Sequence, residues 1–272
     1  MLPTVLVGLL TADPSADNYF EEVEQLVRSD PAFAARLLRY ANSPAFAPPK
    51  PIVRVHDALV RLGCATAVNL ILAVSTTRVF VPRQGWAREL WVHALDVAAL
   101  ARHLAQGVST VRVDPEVAYM SGLLHDIGRF VLYLEAPDEI RRIDERDWET
   151  PAALVALEQE MCGFTHANLG ASVAAKWGIP ETVVRLIQHH HDSPPPGSSP
   201  ELAERIRLIR IADWIDVTVR HQGGCKAMDD EALRASLQAI PPLDTASVDE
   251  HLLRLVRAGF DDAEHSRAAV GV

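Results

Sequence analysis

Gly122-Leu123-Leu124-His125-Asp126-Ile127-Gly128-Arg129 places an imidazole beside a carboxylate inside an apolar stretch. Neighbouring residues on a helix point about 100° apart, so this pair is expected to flank one metal or let the carboxylate bridge two. Outward from it lie His93, His166, the tract His189-His190-His191, and Asp213. Imidazole and carboxylate without thiolate suit divalent iron, manganese, nickel or zinc, and ligand type alone does not choose among them. Taken singly, each residue has a plainer explanation. A lone histidine on an apolar helix is more often a packed core residue. The tract reads equally as a polar helix end favoured by the helix dipole, and Asp213 as a surface or capping aspartate.

The surrounding chain reads as helices. β-Branched residues fall singly among Ala, Leu and Arg, without the alternation of strands. Ser29-Asp30-Pro31 opens a helix carrying Phe33, Leu37, Leu38 and Ala41. NSPAFAPPKP, residues 42–51, ends it in a loop whose Phe46 is a candidate contact residue. Helices are then expected from Val55 to Leu62, stopped by Gly63, and from Ala65 to Thr76. A longer one carries Leu90, Ala94, Val97, Ala101 and Leu104 on one stripe. Asp114-Pro115-Glu116 and Glu149-Thr150-Pro151 open two more. Further helices run from His166 to Trp177, from Pro180 to His190 and, after the loop SPPPGSSP, from Glu201 to Val219. The fold class is all-α and two-lobed, with an N-terminal helical lobe over 1–84, a metal-binding lobe over 85–220 and a helical extension over 221–272.

The chain has 272 residues, 49% of them hydrophobic and 23% charged, which excludes a disordered chain. Its net charge of −10 argues against general nucleic-acid binding. Of the 26 basic residues 23 are Arg, and the three Cys form no C-x-x-C pair. No apolar stretch is long enough to span a bilayer, and MLPTVLVGLL lacks a basic leader. A cytoplasmic protein away from membranes is expected. Phosphate-binding glycine loops, nucleophile elbows and dinucleotide fingerprints are missing too.

With the order His93, His125-Asp126, His166, histidine tract, Asp213 in view, the sequence resembles the HD superfamily of metal-dependent phosphohydrolases. The resemblance implies His93 as first ligand, His125 and Asp126 as the signature pair, His166, His190 and His191 as the later histidines, and Asp213 as the closing aspartate. The later histidines are similar to those of the HD-GYP cyclic di-GMP phosphodiesterases, although no Gly-Tyr-Pro follows the tract. Glu89, four residues before His93, stands where some of those enzymes place a further metal ligand. Arg129 stands where related phosphodiesterases often have Lys, and a phosphate-anchoring role beside Asp126 is implied. The alternative for Arg129 is an ion pair with Glu135 or Asp138.

The front of the chain, with Ser29-Asp30-Pro31, ARLLRYANSPAF and KPIVRVHDALVRLG, is similar to the opening lobe of the HDOD domain, the HD-related output domain of bacterial signalling proteins. The two resemblances cover residues 1 to about 220. They imply a signal-transduction protein with a signalling-protein partner, and seven nitrogen and oxygen ligands, too many for one tetrahedral ion, lead to an expectation of two metals per chain. Metal-dependent phosphohydrolysis of a nucleotide or cyclic dinucleotide is one alternative, with a phosphate-containing small molecule as ligand. A scaffold with a structural metal is the other.

Overall fold

The computed structural model describes residues 4–28, 31–42, 52–69, 71, 88–146, 148–176, 179 and 181–270. Among these there is no strand, and the chain is all-α as the sequence pattern predicts. The first helices are α1 (Thr4–Thr11), α2 (Tyr19–Arg28), α3 (Pro31–Ala41) and α4 (Val55–Leu62). Residues 64–69 are also helical. Gly63 ends α4 at φ 79°, a conformation that a side chain would strain. The Ser29-Asp30 cap, the loop with Phe46 and half of the expected Ala65–Thr76 helix lie outside the described residues, as do Trp177 and Pro180. Asn42 bridges the chain on either side of 43–51: its side chain donates to Ile52 O and accepts from Ile52 N, each at 2.8 Å.

The next elements are α5 (Arg88–Gly107), α6 (Pro115–Leu124), α7 (Ile127–Glu135), α8 (Pro137–Asp144), α9 (Pro151–Cys162), α10 (His166–Lys176), α11 (Glu181–His189) and α12 (Pro200–His221). The last are α13 (Asp230–Gln238) and α14 (Glu250–Val270). Three of them begin at a proline with a polar cap before it. Asp114 accepts from the amides of Glu116 and Val117, Thr150 from Ala153, and Ser199 from Leu202.

Helix α5 is the axis of the packing, lying against α6, α12 and α14. It is buried on more than one side. Leu90, Trp91, Ala94, Leu95 and Ala98 join a core that runs from Leu9 to Ile187. Val97, Leu100, Ala101 and Leu104 join a second core built from α12, α13 and α14. Each such leucine removed from water stabilises by roughly 1.5–3 kcal/mol before entropy is counted. Across the first core, α7 lies against α10 at Gly128, where an added Cβ would come 2.0 Å from the carbonyl oxygen of His166. No helix among the described residues is long and apolar enough to cross a membrane.

Candidate metal centre

The His125-Asp126 pair does not sit within a helix as expected. Helix α6 ends at Leu124 and α7 begins at Ile127, leaving the pair in the turn between them. Asp126, at φ −97° and ψ 20°, accepts at its carbonyl from Arg129 N at 2.9 Å. The turn thrusts both side chains into the interior, where His125 is fully buried and Asp126 nearly so. Arg129 is therefore on the helix after His125, not on the same one.

One oxygen of Asp126 faces three imidazoles. Its Oδ1 lies 3.0 Å from His166 Nε2 and 3.5 Å from both His190 Nε2 and His125 Nε2. His166 Nε2 is in turn 3.2 Å from His190 Nε2 and 2.8 Å from His191 Nε2. The ligand atoms of Asp126, His166, His190 and His191 all fall within 4.8 Å of one another. His166 opens α10, while His190 and His191 lie in the turn after α11, one and two residues beyond the helix end.

The other oxygen faces a second group. Asp126 Oδ2 is 3.5 Å from His93 Nε2, which is also 3.5 Å from Asp213 Oδ1. His93 on α5, His125 and Asp213 on α12 bring their ligand atoms within 4.8 Å of one another. His191 sits between the groups, its Nδ1 3.4 Å from Asp213 Oδ2.

Most of these imidazoles have one nitrogen tied, so that the other is turned inward. His125 Nδ1 donates to Gly122 O at 2.6 Å and His190 Nδ1 to Ile187 O at 2.7 Å. His93 Nδ1 donates to Asp216 Oδ2 at 2.6 Å, and His166 Nδ1 to Glu158 Oε2 at 2.6 Å. Such outer hydrogen bonds are what fix a metal-ligating histidine. Inside, His125 Nε2, Asp126 Oδ1, His191 Nδ1 and Asp213 Oδ2 are buried with no hydrogen-bond partner. Buried polar atoms are seldom left so. Nitrogen and oxygen lone pairs facing one another repel unless a cation lies between them, so the donor set fits divalent metal.

Electrostatics sort the group. Burial pushes the His125 pKa down to about 3, and burial with the neighbouring His190 and His166 holds His191 well below its usual range. For His166 burial is outweighed by Glu158 and Asp126, which raise it to about 10. Burial lifts Asp213 to about 6, whereas His125 and His166 outweigh burial at Asp126 and keep it well below the carboxylate range.

Two expected residues stand differently. Glu89 is outside both groups: its carboxylate pairs with Arg220 at 2.9 Å and is 66% exposed. Arg129 is buried and ion-paired, but its partners are Asp144 and Glu158 instead of Glu135 or Asp138. His189 is outside the groups as well. A cleft of about 400 Å³ opens onto His93, Asp126, His191 and Asp213, with Arg129 and Trp148 in its wall.

A family model, the HDOD domain, matches residues 1–193. The chain belongs to the HDOD family. It is 27% identical over 223 residues to an uncharacterized protein of Treponema pallidum (strain Nichols), covering 82% of this chain and 42% of that one. The HDOD chain thus spans less than half the length of that relative. Its fold is shared with a candidate signal transduction protein from Marinobacter aquaeolei VT8, at a TM-score of 0.75, 24% identity and coverage of 100% of this chain and 60% of that one. A candidate phosphohydrolase from Shewanella amazonensis SB2B has a TM-score of 0.69 at 22% identity, with 97% and 93% covered.

In this HDOD chain, sequence reasoning missed Glu158 and Asp216, the carboxylates that orient His166 and His93. Asp216 lies one turn beyond Asp213 on α12, and that spacing was the available signal. Glu158 offered none, since its partner is brought to it by the turn between α9 and α10.

Proposed function

We propose that this HDOD protein is a cytoplasmic signal-transduction module with a binuclear metal centre. The metal-binding lobe of residues 85–220 would hold it, and the lobe of residues 1–84 would contact a signalling-protein partner. The observation that carries the reading is Asp126, whose one carboxylate touches both groups of ligand atoms, Oδ1 beside His166, His190 and His125 and Oδ2 beside His93. His166, His190 and His191 would complete one site, and His93, His125 and Asp213 the other. Iron, manganese, nickel or zinc suits such nitrogen and oxygen donors.

A second reading, metal-dependent hydrolysis of a phosphate ester such as a nucleotide or cyclic dinucleotide, is favoured by the cleft over the ligand groups. Structural metal sites tend to be closed by protein ligands, whereas catalytic ones keep an open position. Bound metal supplies polarisation of a phosphoryl oxygen and acidification of a water molecule. The chain's own part is to hold the imidazoles in one tautomer, through Glu158 and Asp216, and to wall the cleft with Arg129 and Trp148. Arg129 acts there as a positioning residue, since its guanidinium is committed to Asp144 and to the carboxylate that orients His166.

Elemental analysis of the purified chain, followed by a phosphodiesterase screen with iron, manganese and zinc, tests both readings. Two metals per chain with no turnover fits the signalling module, and turnover fits the second reading. A chain that takes up no metal on anaerobic reconstitution removes both.

A further inference from the structure

Arg205, in the second turn of α12, is a buried cation without a counter-ion. Only 7% of the residue is exposed and its Nε has no hydrogen-bond partner. No hydrogen bond or ion pair of its guanidinium occurs among the described residues. The buried or half-buried Arg102, Arg129 and Arg220 are instead each paired with carboxylates. Its Nε is shut off from water and unpaired, a cation so little hydrated is costly without a counter-ion, and burial pushes its pKa down with only Glu201 opposing. Such a group is retained in a fold at the expense of stability, which points to a ligand.

Arg205 lines a cavity of about 320 Å³ that shares no lining residue with the cleft over the metal ligands. The other walls are largely apolar, with Leu9, Tyr19, Val68, Met120, Leu124 and Val183 among them. Two carboxylates also reach the cavity, but each is already engaged. Asp114 caps α6, and Glu116 takes Arg102 at 2.9 Å and the amide of Asn69. Thr182 and Val183, in the first turn of α11, line it as well and turn the positive end of that helix toward it.

We propose that this cavity binds a small monocarboxylate with an apolar tail, its carboxylate held by the Arg205 guanidinium. One guanidinium neutralises one negative charge, and its planar fork matches a carboxylate through two parallel hydrogen bonds. A phosphate dianion would bring a second charge into apolar walls with nothing to meet it. The apolar lining accounts for the tail. The inference is independent of the proposed metal centre, because the two cavities share no lining residue.

The test titrates the full chain, wild type and Arg205→Met, with octanoate, 1-octanol and inorganic phosphate, by calorimetry and thermal melting. Octanoate is expected to bind wild type at one site per chain and to raise its Tm. Octanol, which lacks the charge, is expected to bind roughly 10- to 100-fold more weakly, and Arg205→Met to lose octanoate affinity by a similar factor. Without ligand, Arg205→Met is expected to melt no lower than wild type, since the change removes an uncompensated buried charge. Equal binding of octanoate and octanol, or unchanged octanoate binding by Arg205→Met, overturns the proposal. Phosphate binding as tightly as octanoate overturns the carboxylate assignment. If Arg205→Met does not fold, the wild-type comparison of octanoate with octanol decides, together with Arg205→Lys, which keeps the charge without the fork.

Discussion

Asp216 accepts a 2.6 Å hydrogen bond from Nδ1 of His93, and in doing so aims the other ring nitrogen at Asp126 and Asp213. Asp216 is itself held by Arg220, with contacts of 2.9 and 3.0 Å to its two oxygens. The orientation of His93 on α5 is therefore set by a residue on α12. Asp216→Asn keeps an acceptor but removes its charge. We expect metal affinity to fall roughly 10- to 100-fold with the fold intact, measured by competition against a chelating dye. An unchanged affinity would show that His93 does not ligate.

Gly128→Ala tests the close approach of α7 to α10. The new methyl would sit 2.0 Å from the His166 carbonyl oxygen, so the two helices must part. A loss of about 1–3 kcal/mol in urea unfolding is expected, with lowered metal content, because His166 and Asp126 lie on either side of that contact. Wild-type stability and metal content in this variant would refute it.

Arg129→Ala leaves Glu158 and Asp144 without their buried cation. Removing one member of a buried ion pair costs about 3–5 kcal/mol, and a fall in Tm is expected. Pairing the change with Glu158→Gln in a double-mutant cycle separates the charge effect from packing, and strictly additive losses would disprove the coupling.

Glu204 supplies a pH dependence away from the candidate metal ligands. Burial pushes its pKa up, but Arg207 and the amide and hydroxyl of Thr110 outweigh it and bring the carboxyl down from 4.5 to about 2. A depressed carboxylate pKa stabilises the fold above the unfolded value, and that contribution is lost as pH falls from 4.5 toward 2. Glu204→Gln is expected to be less stable than wild type at pH 7, with a difference that shrinks across this window. Denaturant melts at several pH values check it, and a difference constant with pH would contradict the assignment.

The candidate ligands were legible because histidines and the two aspartates stand out in apolar helices and follow a recognisable order. Their turns were not. Nothing between Leu124 and Ile127 marks a break, since neither His125 nor Asp126 is a helix breaker, and the close approach of Gly128 to His166 just beyond it is a tertiary contact that no local pattern announces. The same blindness explains Glu89 and Arg129. Glu89 shares a helical face with His93, but it lies at the exposed first turn of α5 within reach of Arg220. For Arg129 the carboxylates close in sequence were the wrong candidates, because Asp144 and Glu158 are delivered by the path of α8 and α9. Proline-led caps, by contrast, are local and were readable at Asp114 and Thr150.

The family match stops at residue 193, yet the second core does not. Leu252, Leu253 and Val256 of α14 are sealed against the side of α5 that carries Leu100 and Leu104, on the helix that also bears His93. A chain cut after residue 220 would turn that seam outward as a greasy stripe and expose it to self-association. The border drawn by homology is thus not a place where the molecule comes apart. Anything that loosened the final helix would be felt, through one shared rod, at His93.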